Sequence, residues 1–528
     1  MFWITLAQAA AGLSWTSPIV ASVVATRTAN VTAGTTLTSL DFLATTPIRP
    51  DHTDDEDDGD VGLGRQSLSE ALARAMLKSR PITIDLQSRV YSLSTGDALV
   101  VDGPNTGLIT LRSAGDGYAT LDRQKKGTDP ILVIVAGFRV AAEGVVFINC
   151  HSEFGGAAVR NEGEFYALDC EFVGCTSTIA GGAIASFGTT TLDSCELGGN
   201  SAPHGGAVAV QSGACTIVNS WLDENSATLE GGGIFVGSGR LVLRHSSIFK
   251  NQAPHAGGLK VVGGGSASIS HCLIGLNRSL DGFGDGAGPI TSLGFNLIER
   301  PGGFIGTLQS SDVVGKSPKI GLDGFLQPDS PAIDAGDPAF DPSTLPLDGP
   351  GNDRKTGPRI DIGAVEFTGT VAGWTLGYFS RTVADDPAKE ATDWGATADP
   401  DKDGVVNTLE RALGGDPTTA GLTLVDGTAL LPAIQKSAGA VDYQFALDER
   451  YTDLRYIVQT SSDAAPWLDA ATFVPLGGGQ GFRRDPAPGS PTTPGPSSSS
   501  RSRFLINEML PIQPGQKHLL RLKVVGSP

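Results

Sequence analysis

Asp399, Asp401 and Asp403 alternate with Pro400 and Lys402, Gly404 and Val405 follow, Asn407 stands ninth and Glu410 twelfth in that run. Carboxylates at the first, third, fifth and twelfth places supply the hard oxygen ligands that a calcium ion needs. Val405 would add its backbone carbonyl, Asn407 occupies the ninth place, and Gly404 permits the sharp turn between them. A helix is expected over Val405–Leu413, stopped by Gly414-Gly415 and Pro417. Ca²⁺ is therefore the expected cofactor, in a structural role as a brace.

A second group of acids could do other chemistry. Glu171, Glu196 and Asp223 recur at nearly constant spacing. Two carboxylates facing one glycosidic bond can act as acid and base, or as acid and nucleophile. His245 and His271 recur in the same rhythm, as do His204 and His255. A metal centre needs three or four such ligands converging, so these pairs read as surface side chains. Trp221 and Phe249 could offer a sugar-stacking platform, or simply cover apolar surface. Whether any of these groups meet depends on the elements that carry them.

Those elements repeat. Gly-Gly pairs stand at 155, 181, 205, 231 and 257. Between them recurs an apolar residue, two spacers, then Asn or Cys: Phe147–Cys150, Phe172–Cys175, Leu197–Asn200, Leu222–Asn225, Ile248–Asn251 and Ile274–Asn277. The period is 25 to 26 residues, made of strand-length pieces and turn residues with no helical rhythm. Such a unit cannot bury a core alone, but coils can stack on one another at ~4.8 Å. That is a parallel β-helix. A β-propeller blade needs ~40–45 residues. Asn tolerates left-handed backbone and suits the bend, and stacked Asn side chains can form a ladder. In this arrangement Glu171, Glu196, Trp221, Ser247 and Leu273 form one outward column. Asp169, Ser194, Asn219, His245 and His271 form the column before it, and Val173, Gly198, Asp223, Phe249 and Gly275 the column after. Cys170 and Cys195 stack as buried thiols, and Cys150/Cys175, at a turn, is the disulfide candidate.

The repeats resemble those of polymorphic outer-membrane proteins and, more broadly, the pectate-lyase-like superfamily. Asp54–Asp60 followed by Ser67-Leu68-Ser69-Glu70-Ala71-Leu72 resembles the CSLREA motif, with Gln66 and Ser69 where that motif has Cys and Arg. Ser292–Ile298, Ser330–Gly336, Asp353-Arg354 and Asp361–Glu366 resemble the choice-of-anchor Q domain. The calcium-type loop resembles dockerin-like and thrombospondin type 3-like segments. These resemblances imply a right-handed coil and a bacterial surface protein. The fold hosts lyases, hydrolases and adhesins alike.

Composition narrows the class. The formal charge is −19, which argues against a nucleic-acid partner. No apolar run is long enough for a transmembrane helix. Phe2–Leu13 is largely apolar, like a short export signal, but the first Arg is Arg27. The expected order is a weak signal-like segment (1–30), an acidic entry segment (31–80), a β-helix with its closing motif (81–368), a linker with the calcium loop and helix (369–420), and a β-sandwich-like domain (421–528) with a disordered insert (485–503). The expected protein is all-β, monomeric, and extracellular or on the outer surface of a bacterium. Its expected role is structural or adhesive, toward a polysaccharide or cell-surface ligand. A polysaccharide lyase or glycoside hydrolase using Glu171, Glu196 and Asp223 is the alternative.

Overall fold

A computed structural model describes residues 47–50, 67–421 and 430–526, apart from short interruptions, together with an antiparallel strand pair, Leu13–Trp15 and Arg27–Ala29. The interruptions are 79, 94–96, 105, 116, 322–323, 329, 358, 438–439, 449–450, 452, 463–467, 476–481, 486–494, 497–502 and 512–517. The signal-like segment, the acidic run Asp54–Asp60 and most of the 485–503 insert lie outside the described residues. Within that insert, Gly495–Pro496 pairs with Phe504 and Leu505.

The repeat region is a parallel β-solenoid with four stacks of strands. One coil shows the plan: Glu164–Leu168 in the first sheet, Glu171–Val173 in the second, Thr176–Ser177 in the third and Ile184–Ser186 in the fourth. Each strand pairs in parallel with its counterpart one coil on, as in Phe172↔Leu197 and Ile184↔Val208. The second sheet runs to ten strands, the first and fourth to nine, and the third to six. Alternate side chains point inward. The apolar marks Phe147, Phe172, Leu197, Leu222, Ile248 and Ile274 are all fully buried in one continuous core. The rings of Phe147 and Phe172 stack at 4.9 Å.

Two turns share a grammar. A residue in left-handed conformation is followed by a small buried side chain that bonds to a neighbouring coil. Between the second and third sheets the left-handed residues are Asn149, Gly174, Gly199, Glu224, Lys250 and Leu276, with φ from 54° to 64°. The ladder residue follows each one. Asn200, Asn225, Asn251 and Asn277 are linked by Nδ2–H donating to the next Oδ1 at 2.9–3.0 Å. The same Oδ1 also accepts the backbone N–H of the preceding coil. The ladder Asn thus bonds, while its predecessor bends. Between the first and second sheets, Asp169, Ser194, Asn219, His245 and His271 are left-handed. Cys170, Cys195, Ser220, Ser246 and Cys272 follow them, and Cys195 N–H donates to Ser220 Oγ at 2.9 Å.

The glycine turn lies between the third and fourth sheets. Strand register aligns Gly156, Gly181, Gly205, Gly231 and Ala256, each with positive φ. The first and last members of the sequence series are therefore offset by one. At the following position a Cβ on Gly182, Gly206 or Gly232 would lie 2.0–2.3 Å from a carbonyl of the next coil, so no side chain fits.

Ser67–Leu72 begins a helix, Leu68–Met76. Ser67 and Glu70 form a reciprocal capping box. Leu68, Ala71, Leu72 and Ala75 enter the solenoid core and cap its first coil. At the other end, the C-terminal strands form two four-stranded antiparallel sheets. Phe445 of one stacks on Tyr456 of the other and meets Phe473 edge-on. All six cysteines are buried free thiols, so the Cys150/Cys175 disulfide is not formed. Stacking in register brings the two residues together without a bond.

Candidate functional sites: a covered sheet face and an acidic loop

The outward columns of the second sheet fall as the repeat implies, with Glu171↔Glu196, Glu196↔Trp221, Trp221↔Ser247 and Ser247↔Leu273 in register. From the coil of Asn219 onward this face is not open. Residues 318–367 leave the last coil, turn back and lie along it. Ala364 N–H donates to Ser247 Oγ at 3.0 Å, Gly363 N–H to the His271 carbonyl at 2.9 Å, and Asn219 Nδ2–H to the Leu347 carbonyl at 3.1 Å. Phe249, Leu273 and Leu297 pack against Ile320, Leu326, Ala332, Ile362 and Phe367 beneath this strap. The Trp221/Phe249 platform is thereby excluded. Phe249 is fully buried, and Trp221 packs against the strap.

Arg354 anchors the strap. Its side chain is fully buried. It donates to Asn219 Oδ1, to the carbonyls of Gly363 (3.0 Å) and Ala364 (3.3 Å), and to Glu366 Oε1 (3.5 Å). Glu366 Oε1 also accepts Asp361 N–H at 2.8 Å, and Asp361 accepts Asp334 N–H and Phe367 N–H, both at 2.7 Å. The Ser330–Gly336, Asp353-Arg354 and Asp361–Glu366 marks are thus one bonded network. Burial pushes the Glu366 carboxyl well above its usual range, while Arg354 pulls it back. By sequence these marks read as the closing motif of the β-helix, with no contact assigned to any of them. Only their convergence from distant positions reveals the network.

The stacked histidines sit at the same interface. The His245 and His271 rings lie 4.6 Å apart, and Phe340 of the strap closes over both. Asp337 N–H donates to His271 Nε2 at 3.2 Å. Burial is the main cause that lowers the His245 imidazole to about 2 and that of His271 to about 4. Nearby Arg354 lowers both further, whereas Asp337 opposes the shift at His271. They are interface residues, not the surface pair that spacing alone suggests. His204 and His255 remain accessible, beside Glu230 and Asp281 respectively.

Glu171, Glu196 and Asp223 stay half-buried. Glu196 and Asp223 both reach over Gly198, whose Cβ would lie 3.9 Å from Glu196 Oε1 and 3.6 Å from Asp223 Oδ1. Glu171 is one coil further away.

The acidic loop brings its ligand types together. One oxygen from each of Asp399, Asp401 and Asp403 lies within 4.8 Å of the others. Asp401 Oδ1, Asp399 Oδ2 and Asp403 Oδ1 accept the N–H groups of Asp403, Gly404 and Val405. Asp399 Oδ1, Asp401 Oδ2, Asn407 Oδ1 and Glu410 Oε2 are buried without a hydrogen-bond partner. Four orphaned oxygens in one loop need a cation or water. Burial, then the charges of Asp401, Asp403, Asp416 and Asp399, push the Glu410 carboxyl up to about 8. Asp416 was not among the sequence candidates, since it lies beyond the loop in the chain. The helix spans Asn407–Leu413, two residues shorter than expected, and ends at left-handed Gly414. Asn407 Nδ2 donates to the carbonyls of Asp393 and Gly395, which holds the preceding turn.

This helix is also a joint. Arg411 forms a bidentate pair with Asp453 of the sandwich at 2.9 and 2.6 Å, and donates to the Gly369 carbonyl at the solenoid exit at 2.7 Å. Tyr456 Oη–H donates to the Ala412 carbonyl at 2.7 Å. One apolar cluster runs from Phe249 on the solenoid to Phe473 in the sandwich.

The fold and these sites define a parallel β-solenoid carrying an antiparallel β-domain. Comparison with models of known families, with curated proteins and with solved structures finds no match. No helix among the described residues is long and apolar enough to cross a membrane.

Proposed function

We propose that this protein is a secreted or cell-surface structural and adhesive β-helix of a bacterium, binding glycans or surfaces. The observation that carries this reading is the strap. Over Ser247, Phe249 and Leu273 the face of the second sheet is sealed by the protein's own chain, so these coils offer no catalytic groove. Rigidity and length are what such a coil supplies. The resemblance to CSLREA, choice-of-anchor Q and polymorphic outer-membrane repeats supports the location.

Ca²⁺ fits the loop at Asp399, Asp401, Asp403, Val405, Asn407 and Glu410. The four orphaned oxygens support it. Bound there, the ion would neutralise the carboxylates that crowd Glu410, while the chain's own groups clasp the helix between solenoid and sandwich.

The second reading is a polysaccharide lyase or glycoside hydrolase. Its support is the approach of Glu196 and Asp223 over Gly198. One experiment separates the two. Purified protein is incubated with acidic and neutral polysaccharides, with Ca²⁺ or chelator. New reducing ends or unsaturated-uronate absorbance would overturn the adhesive reading. Retention on a polymer without product supports it. Alanine at Glu171, Glu196 and Asp223 should leave retention intact.

A further inference from the structure

One corner of the solenoid stays bare. At the end of the third sheet and in the turn that follows it, Phe154, Ile179, Leu229 and Leu280 are 52, 52, 49 and 88% exposed. They stand on coils stacked along the axis, because Ser152↔Ser177, Ala202↔Ala227 and Ala253↔Ser279 are in register. Isolated large apolar side chains are ordinary on a surface, but a row of them marks a contact site.

Beside this row runs a ladder of alternating imidazoles and carboxylates. His204 pairs in register with Glu230, and Glu230 with His255. His255 Nδ1 lies 3.2 Å from Asp281 Oδ2, and His204 Nδ1 lies 3.7 Å from Glu230 Oε2. The order along the axis is therefore His204, Glu230, His255, Asp281, one residue per coil. Lys260 adds a cation beside Glu230 at 3.6 Å. The ladder lies outside the core, with side chains between 19 and 57% exposed.

The ladder is its own complement when reversed. A two-fold axis perpendicular to the solenoid, midway between the Glu230 and His255 levels, sets His204 opposite Asp281 of a second copy. The same operation sets Glu230 opposite His255 of that copy. Coil spacing is constant at ~4.8 Å, so all four levels match at once. Leu229 then faces the level of Pro254, and Leu280 the level of Pro203. A two-fold contact needs a patch that complements itself, and here the imidazole–carboxylate ladder does, with Leu229 and Leu280 set against prolines. We infer that this corner is an isologous interface, at which a second copy of the chain docks antiparallel along the solenoid axis. This replaces the monomer expected above and is independent of the strap and the calcium loop.

Sedimentation equilibrium of the full chain at neutral pH tests it. The expected species is a dimer of the 54.4 kDa chain. The double variant L229E/L280E should weaken it at least tenfold, with an unchanged circular-dichroism spectrum and melting curve. His255→Glu should also weaken it, since it sets like charge against Glu230 of the second copy. A protein that stays monomeric at ~100 μM overturns the inference. So does a dimer that survives L229E/L280E, because it then uses another face.

Discussion

The Arg354 guanidinium donates to the Asn219 side-chain oxygen, joining two residues 135 positions apart in the chain. Asn219 is a left-handed turn residue of the solenoid. Arg354 belongs to the strap, so this contact pins the strap to a bend that exists only once the coils have stacked. It also explains why a charge is tolerated without exposure. Its two terminal nitrogens have four acceptors, two of them backbone carbonyls.

Replacing Arg354 by Met should cost about 3–5 kcal/mol, since Glu366 is left buried without its partner. Lysine should not rescue it, because one ammonium cannot reach four acceptors at once. Urea denaturation gives the energy, and limited proteolysis within 337–352 reports release of the strap. A loss below about 1 kcal/mol would show that the network does not hold the strap.

Acid should loosen the same interface. The folded pKa of His271 is lowered from 6.5 to about 4 and that of His245 to about 2. Their stabilising contribution is therefore complete above pH 6.5 and is lost as pH falls through that value toward the folded pKa. For His271 alone the loss reaches on the order of 3 kcal/mol near pH 4. Melting curves from pH 7 to 4 should fall, and the H245Q/H271Q variant should fall less steeply. Equal slopes would remove these imidazoles from the account.

The Asn ladder is expected to carry measurable stability. Asn225 donates to the Leu197 carbonyl and Asn251 Oδ1, and its Oδ1 accepts from Asn200 N–H and Nδ2–H. Asn225→Ala leaves buried partners unsatisfied at about 1–3 kcal/mol each before relaxation. Chemical denaturation should show a total loss of at least about 2 kcal/mol on that scale. Asn225→Asp tests the donor separately, since its carboxylate can still accept but cannot donate.

Calcium should raise the melting temperature, and chelator should reverse the rise. Removing the Asp403 and Glu410 carboxylates together, as D403A/E410A, should abolish the response while the solenoid still folds. The rise persisting in that variant would place the ion elsewhere.

Thiol counting tests the cysteines. All six are buried and free, and burial pushes Cys215 and Cys272 up to about 12. An alkylating reagent should leave the native protein unlabelled. It should label six sites in denaturant, with or without reductant. Only four labels without reductant would restore the Cys150/Cys175 bond.

The repeat made the solenoid legible because strand stacking is local arithmetic. A period of 25 to 26 residues, an inward apolar mark and a small turn residue specify which side chains share a column, and register then follows from the pleat. The acidic loop was legible for the same reason, since its ligand types lie within twelve residues. Position within a turn was read less well. The bend falls on the residue before the ladder Asn, because that Asn must keep its side chain turned inward to the next coil.

What the sequence alone could not decide was which outward columns would stay outward. Glu171, Trp221 and Ser247 occupy one column by spacing, yet their surroundings differ. The strap returns from more than 70 residues downstream to cover the later coils and stops short of the earlier ones. Its course rests on long-range contacts such as Arg354–Asn219, and no periodicity encodes those. Local spacing thus determined the coil, its core and the acidic cluster of the loop. Tertiary packing decided that the histidines are buried, that the aromatic platform is closed, and that the helix after the loop joins the two β units.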